Sequence, residues 1–207
     1  MKKLVIVMLC LFTTASLKAQ TESGNIFVGA DLGFSNTKTE ALNGNATFLY
    51  LRTSSINLRP QFGYFIADNF ALGTSVDFQS TREEDIDGNL TLSNQTQLLP
   101  FARYYFPMTE QFSIYGQGSI GVGFSKSEII VNDATILEQD GFILSVGLSA
   151  GLAFFPTEKI NVNLGFRVLN FESTNVTSPD NNAKTIINDF NFGVDTFSPF
   201  LSLNYFF

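Results

Sequence analysis

Apolar and polar side chains alternate along eight runs of this chain, and that alternation restricts the fold more than any other feature of the sequence. Successive side chains of an extended strand point to opposite faces, so alternation with a period of two predicts strands that each have one apolar and one polar face. None of the apolar faces carries a charge. The sequence therefore predicts an all-β fold, with strands in the runs 25–35, 54–66, 70–79, 97–106, 112–124, 142–154, 160–168 and 199–207.

The connections between the runs alternate between short and long. Short turns are predicted near Asp68, Thr109 and Thr157. Long segments rich in Asn, Asp, Glu, Thr and Ser are predicted as loops at 36–53, 80–94, 125–140 and 170–189. Short turns at one end and long loops at the other are typical of an up-and-down membrane barrel. We expect a closed eight-stranded antiparallel transmembrane β-barrel, because a strand of about ten tilted residues crosses a bilayer.

The volume of such a barrel predicts which face points inward. The interior of an eight-stranded barrel is barely wide enough for side chains. The many large residues of the apolar faces cannot fit there, whereas the Gly, Ser, Asn and Gln residues of the opposite faces can. We therefore expect the apolar faces to contact lipid. The alternative is a soluble, lipocalin-like barrel that turns its apolar faces inward around a lipid ligand.

Charged residues on the polar faces should form pairs inside the barrel, because an unpaired buried charge is unfavourable. If Ile66 pairs with Phe70 across the first short turn, Arg59 lies opposite Asp77, with Asp31 close by on the neighbouring strand. The same counting places Arg103 opposite Tyr115 and Arg167 near Gly147 and Ser149. The predicted polar network of the interior is Asp31, Arg59, Asp77, Arg103 and Arg167.

Two features disturb the strand pattern. Proline removes a donor from the hydrogen-bonded ladder and belongs at bulges or strand ends, so Pro60, Pro100 and Pro199 predict local bulges. The apolar residues Phe190, Phe192 and Val194 occupy even positions, whereas those after Pro199 occupy odd ones, which predicts a further bulge near Asp195–Ser198.

The N-terminus has the composition of an export signal. Met1, Lys2 and Lys3 precede an apolar run from Leu4 to Phe12, and Ala19 ends a plausible cleavage site. We expect residues 1–19 to be removed and residues 24–207 to form the barrel domain. The only cysteine, Cys10, lies in the apolar run, so no disulfide is expected. With 12 basic and 19 acidic residues the net charge is −7, which argues against a nucleic-acid partner.

Motifs that carry chemistry are weak in this sequence. The segment 116–121 matches the dinucleotide-binding fingerprint by letter, but it lies within a predicted strand and no helix follows it. Asp85 to Asn89 offers carboxylate and amide oxygens for weak binding of a divalent cation, without the spacing of a calcium loop. Histidine is absent, which removes Ser-His hydrolysis and histidine metal sites. We expect no cofactor and no enzymatic activity.

The chain ends on an apolar strand in which Leu201, Leu203, Tyr205 and Phe207 share one face. An unpaired strand of this kind would promote aggregation, whereas pairing with the first strand would close a barrel. This ending resembles the C-terminal signature of bacterial outer-membrane barrels. The whole chain resembles the small eight-stranded outer-membrane barrels of the OmpX/OmpA type, described as outer-membrane β-barrel domain or porin-family proteins.

This resemblance implies a location in the outer membrane and insertion into lipid by the barrel-assembly machinery, which would act on the C-terminal strand. It also implies a monomer with a structural or cell-surface interaction role. Unlike in OmpA, we expect no additional domain after the last strand. The alternatives are a low-conductance pore for ions or small solutes and the soluble lipid binder. The sequence does not identify a partner for the loops.

Overall fold

The computed structural model describes residues 20–43, 46–131, 134–177, 184–193 and 200–207. The predicted signal segment, Pro199 and the predicted bulge near Asp195–Ser198 lie outside this part of the chain. Among the described residues, no helix has the length and apolar character needed to cross a bilayer. The described strands are β1 (Ile26–Asn43), β2 (Ala46–Ala67), β3 (Phe70–Asp85), β4 (Leu90–Pro107), β5 (Phe112–Val131), β6 (Ala134–Phe154), β7 (Ile160–Thr177), β8 (Lys184–Phe192) and β9 (Phe200–Phe206).

All nine strands belong to one antiparallel sheet. Pairing follows chain order from β1 to β7, and β9 lies between β7 and β1. The ladder between β1 and β9 runs from Phe27 opposite Phe206 to Leu32 opposite Leu201. The C-terminal strand therefore pairs with the first strand, as the apolar ending of the chain predicted.

The predicted count of eight strands differs from the nine strands in the described part of the chain. Both β8 and β9 pair with β7, at Leu169–Thr177 and Ile160–Gly165 respectively. Three residues of β7 separate these two ladders, whereas seven residues separate Phe192 from Phe200. Because of this mismatch, β8 and β9 cannot form one continuous ladder along β7.

The segments predicted as long polar loops are mostly strand, and that prediction was wrong. Hairpins continue to Asn43 and Ala46 and to Val131 and Ala134. Cross-strand side-chain pairs stabilise such extensions. One example is Lys126, whose Nζ lies 2.9 Å from a carboxylate oxygen of Glu138 on the neighbouring strand. The structure therefore has a short-turn end and a long-hairpin end.

The prolines within the described strands do not form the predicted bulges. Pro60 lies opposite Ala30 and Pro100 opposite Thr74, and neither ladder shifts its register at the proline. On the other side of β2, the ladder has a gap between Leu58 and Gln61, and the register is the same before and after this gap. The missing proline donor is therefore accommodated by a gap in one ladder, without an inserted residue.

The two faces of the sheet differ as the alternation predicted. Phe34 and Phe124 are 75% and 70% exposed, and most of the other large apolar residues of the same face are exposed or half-buried along β1 to β7 and β9. The opposite face is enclosed and carries buried Asp31, Gln61 and Asn161. This orientation contradicts the lipocalin-like alternative, in which the apolar faces would be enclosed. We call the enclosed space the interior.

Candidate functional site

A layer of paired charges crosses the middle of the interior. Arg59 Nη2 lies 2.6 Å from Asp77 Oδ2 on the neighbouring strand, and Arg59 Nη1 lies 3.8 Å from Asp31 Oδ2. The body of the ladder between β2 and β3 has the register that was derived from the turn. Next to the turn, however, Ala67 rather than Ile66 pairs with Phe70. The guanidinium of Arg59 thus joins carboxylates from β1 and β3.

Asp31 also links the strands at the seam between the two ends of the chain. Its carboxylate accepts hydrogen bonds from Ser202 Oγ on β9 and, at 2.8 Å, from Gln61 Nε2 on β2. Gln61 Nε2 also donates to Asn204 Oδ1 at 2.9 Å. Asn204 Nδ2 in turn donates to Asn161 Oδ1 on β7 at 2.9 Å. Polar side chains therefore connect β2, β1, β9 and β7 across this seam.

Arg103 does not face Tyr115, so that prediction was wrong. It lies opposite Gln117, because the turn spans residues 108–111 and Pro107 pairs with Ser113. Arg103 Nε donates to Gln117 Oε1 at 2.7 Å, Nη1 donates to Tyr105 Oη at 3.1 Å, and Nη2 donates to Gln61 Oε1 at 2.8 Å. Since Gln61 also donates to Asp31, its amide connects the buried cation to that carboxylate.

Aromatic rings surround the guanidinium of Arg103. Its Cζ atom lies 5.0–5.9 Å from the centroids of four rings, a distance at which cation–π attraction is substantial in a site without water. The Arg103 side chain is only 1% exposed. The four rings belong to Phe27, Phe101, Tyr105 and Tyr115.

These rings are part of a buried aromatic cluster at the short-turn end of the interior. The rings of Phe27 and Phe206 stack with centroids 5.5 Å apart, and Phe155 meets Phe206 at 5.9 Å. The polar faces of the strands predicted polar side chains throughout the interior, and this cluster was not predicted. The signal was available, because aromatic residues interrupt the polar faces of several runs. The members are Phe27, Phe65, Phe101, Tyr105, Tyr115, Phe155 and Phe206.

Arg167 lies on the other side of the charged layer. It is opposite Ser149, as predicted, while Gly147 is opposite Asn170 because β6 and β7 shift register between Leu148 and Ser149. Arg167 lines a cavity of about 40 Å³ together with Glu172 and Asp77. No carboxylate among the described residues lies within 4 Å of its guanidinium. The interior thus keeps a small polar space towards the long-hairpin end.

Residues just after the predicted cleavage site cross the short-turn end. Asn69 N donates to the backbone oxygen of Thr21 at 2.7 Å, and Ser23 N donates to Asp68 Oδ1 at 3.0 Å. The Gln20 amide donates to the backbone oxygen of Thr157. This segment borders a cavity of about 600 Å³. The N-terminal segment is therefore attached to two of the short turns.

The side chains of the predicted C-terminal signature point outward. Leu201, Leu203, Tyr205 and Phe207 are exposed, whereas Ser202, Asn204 and Phe206 on the other face are buried. The rings of Tyr205 and Phe207 meet edge to face with centroids 5.0 Å apart. Outward residues of β9 therefore continue the apolar outer surface.

The loop predicted to offer metal ligands is closed by its own hydrogen bonds. The Asp85 carboxylate accepts hydrogen bonds from Asn89 Nδ2 at 2.8 Å and from the backbone N–H groups of Asn89 and Asp87, both at 2.9 Å. The hydrogen bond from the Asn89 side chain is the main reason why the pKa of Asp85 is lowered. Within the described residues, no group of three His, Cys, Asp or Glu side chains could hold a metal ion.

An antiparallel sheet with an apolar outer surface and a polar, aromatic-sealed interior defines an outer-membrane β-barrel protein. The chain belongs to the outer membrane protein beta-barrel domain family, whose model matches residues 4–196. Its location is therefore the outer membrane. No curated protein sequence matches it.

Solved structures similar to the chain are also outer-membrane proteins. OprG from Pseudomonas aeruginosa is 14% identical with a TM-score of 0.48, and the match covers 91% of this chain and 98% of OprG. Neisserial surface protein A is 11% identical with a TM-score of 0.45, covering 89% of this chain and 96% of that protein. The Ail protein of Yersinia pestis is 17% identical with a TM-score of 0.33, covering 89% of this chain and all of Ail.

Proposed function

We propose that this protein is a non-conducting, non-catalytic barrel that crosses the outer membrane eight times and presents its long hairpins at the cell surface. In this proposal β8 and β9 act as one interrupted crossing, because they occupy successive lengths of the same neighbour, β7. The observation that carries the proposal is the aromatic cluster with Arg103 at its centre. Closely packed rings leave no continuous aqueous path at the short-turn end.

The extended hairpins support a role in surface interactions. The hairpins continue well beyond the band of exposed apolar residues on the outer surface, which we call the apolar belt. They carry outward-facing charges such as Arg82, Lys126 and Glu138. Such rigid, paired strands present side chains at fixed positions, as a binding surface requires. We expect the protein to act as a monomer.

Conductance measurements test the proposed closed interior. We expect the purified protein, refolded and inserted into planar bilayers, to give no steady single-channel current. The alternative of a low-conductance pore would instead give regular current steps. Folding must be checked on the same sample by comparing gel migration with and without boiling, because unfolded protein would also fail to conduct. Regular steps from a fully folded sample would contradict the proposal.

We further propose that β9 is the segment recognised during assembly into the membrane. Its outward residues Leu201, Leu203 and Tyr205 form a continuous apolar stripe with Phe207, which directly follows the strand, and the backbone of β9 pairs with both β1 and β7. Phe207 is 70% exposed, yet its N–H donates to the backbone oxygen of Ile26 at 3.0 Å. The last residue therefore combines an accessible ring with a position next to the first strand.

Deleting Phe207 tests this second proposal. In cells we expect the shortened protein to reach the outer-membrane fraction at less than about a tenth of the wild-type level, while the purified protein refolds in detergent with similar yield. The matched control is Phe34→Ala, which removes an exposed ring from β1 and should leave assembly nearly unchanged. Equal losses for both variants would mean that assembly depends on general apolarity and not on the C-terminal ring.

A further inference from the structure

Three segments of the chain line the cavity at the short-turn end. The first is the segment that follows the predicted cleavage site, and it is fixed to the turn after β2. The backbone oxygen of Thr21 accepts from Asn69 N, and Thr21 Oγ1 donates to Asn69 Oδ1, both at 2.7 Å. The turns after β2 and β4 are the other two segments. The volume of about 600 Å³ is typical of a site for a small molecule.

The floor of this cavity is apolar. Phe155 is only 4% exposed, lines the cavity and also belongs to the buried aromatic cluster. Its ring meets the rings of Tyr105 and Phe206 with centroids 6.2 Å and 5.9 Å apart. Pro107 and Met108 add apolar surface next to it. A molecule in the cavity therefore contacts apolar side chains at the end that adjoins the aromatic cluster.

Three exposed carboxylates line the same cavity, one from each segment. They belong to Glu22, Asp68 and Glu110. In the described part of the chain, no lysine or arginine lines the cavity, and none lies within 4 Å of these carboxylates. Removal of the export signal before Gln20 would add one α-ammonium group and leave two of the three negative charges uncompensated. The cavity therefore favours a positively charged ligand.

A buried acceptor without a partner is an independent indication of a ligand with N–H donors. Gln20 lines the cavity and is only 3% exposed. Its Nε2 donates to the backbone oxygen of Thr157, but its Oε1 accepts no hydrogen bond from any described residue. Because a buried acceptor without a donor is unfavourable, an ammonium group of a ligand in the cavity would stabilise this oxygen.

The separation of the three carboxylates favours an extended cation over a metal ion. Among the described residues, no group of three acidic, histidine or cysteine side chains could hold a metal ion together. A linear polyamine instead carries several ammonium groups separated by short methylene chains. Its charges can pair with separate carboxylates, while its methylene groups contact apolar side chains such as Met108 and Phe155.

We propose that the cavity at the short-turn end binds a linear polyamine. Its ammonium groups pair with the carboxylates of Glu22, Asp68 and Glu110, and one of them donates to Gln20 Oε1. Ser23 N donates to Asp68 Oδ1 at 3.0 Å, which orients this carboxylate and leaves Oδ2 for the ligand. The site depends neither on a non-conducting interior nor on the long hairpins, so this inference goes beyond the proposed function.

Isothermal titration calorimetry with spermidine tests this inference on the protein purified from outer membranes in a non-ionic detergent. We expect one spermidine to bind per protein. Glu22→Gln/Glu110→Gln should weaken binding about tenfold, because each exposed ion pair contributes up to about a factor of five. Both substitutions are made at exposed positions, and gel migration without boiling checks the folding of every variant.

The matched control is Asp87→Asn/Glu158→Gln, which changes the net charge by the same amount at exposed positions that do not line the cavity. This variant should bind spermidine as the wild type does. If it loses as much affinity as Glu22→Gln/Glu110→Gln, the binding reflects the net charge of the protein, and the assignment to the cavity is wrong.

Two competing ligands can also overturn the assignment. Magnesium ions at the same concentration as spermidine should not displace it, and complete displacement would show a site for any multivalent cation. Binding of trilysine without binding of spermidine would show a site for a cationic peptide. A folded wild-type protein that binds no spermidine rejects this inference alone, whereas regular current steps in planar bilayers reject only the proposed function.

Discussion

Replacing Arg103 by methionine should lower the free energy of unfolding by about 3 kcal/mol. Methionine fills a similar volume among the rings, so the substitution removes the charge and the donors without opening a large cavity. It leaves the side-chain oxygens of Gln61 and Gln117 without the donor they now share. A buried acceptor without a partner costs about 1–3 kcal/mol. Urea unfolding in detergent micelles, followed by circular dichroism, measures the change.

The control for this prediction is Lys159→Met, which removes one positive charge from an exposed turn and should change stability by less than about 0.5 kcal/mol. A triple variant, Arg103→Met with Gln61→Leu and Gln117→Leu, should recover part of the loss, because no unpaired amide oxygens then remain at these two positions. If Arg103→Met is as stable as the wild type, the cation contributes nothing to the interior beyond its volume.

Replacing Gly151 by alanine should destabilise the protein by about 3 kcal/mol or prevent folding. An added Cβ would lie 2.4 Å from the backbone oxygen of Leu164 and 2.8 Å from the Cα of Gly165, both on the paired strand β7. It would also lie 2.7 Å from the Tyr115 ring. Backbone atoms cannot move aside without separating β6 from β7. The same urea titration and the fraction folded on an unheated gel measure the effect.

Gly116→Ala is the matched control, since an added Cβ there meets nothing within 4 Å. Gly116 neighbours Tyr115, the residue opposite Gly151, so both substitutions are made in the same pair of strands. We expect Gly116→Ala to be neutral or slightly stabilising, because alanine restricts the unfolded chain. Wild-type stability for Gly151→Ala would show that β6 and β7 are not packed as closely as the structure describes.

The sequence predicts the location of Arg103 better than it predicts the residue that Arg103 contacts. Arg103 was predicted to lie inside, because it shares a polar face with Gln97 and Tyr105. Its partner was predicted wrongly as Tyr115, because the turn between β4 and β5 lies one residue further along the chain than predicted, which moves the partner of every residue of β4 by two positions. By contrast, the ladder between β2 and β3 keeps the register that places Arg59 opposite Asp77. The register shift next to that short turn is confined to Phe65–Ala67 and does not reach Arg59.

The aromatic cluster could not be predicted from the sequence, for a different physical reason. The sequence shows that Phe27, Phe65 and Phe101 share faces with polar residues, but these faces belong to strands far apart along the chain. Only closure of the sheet brings the rings to one end of the interior, where they enclose Arg103. The spacing of these residues in the sequence does not predict that their rings meet, because the meeting of the rings depends on the stagger of each strand against the next.

Local alternation was enough to assign each side chain to one of two faces, since the period of a strand is the same in any β-sheet, and the narrow interior of an eight-stranded barrel determined which face points outward. It also determined that the ends of the chain should meet, because neither terminal apolar strand is stable alone. The tertiary structure decided which enclosed residues are partners, how far the hairpins extend and where the pairing with β7 passes from β8 to β9. These depend on register between strands, which a single shifted turn changes for every residue that follows.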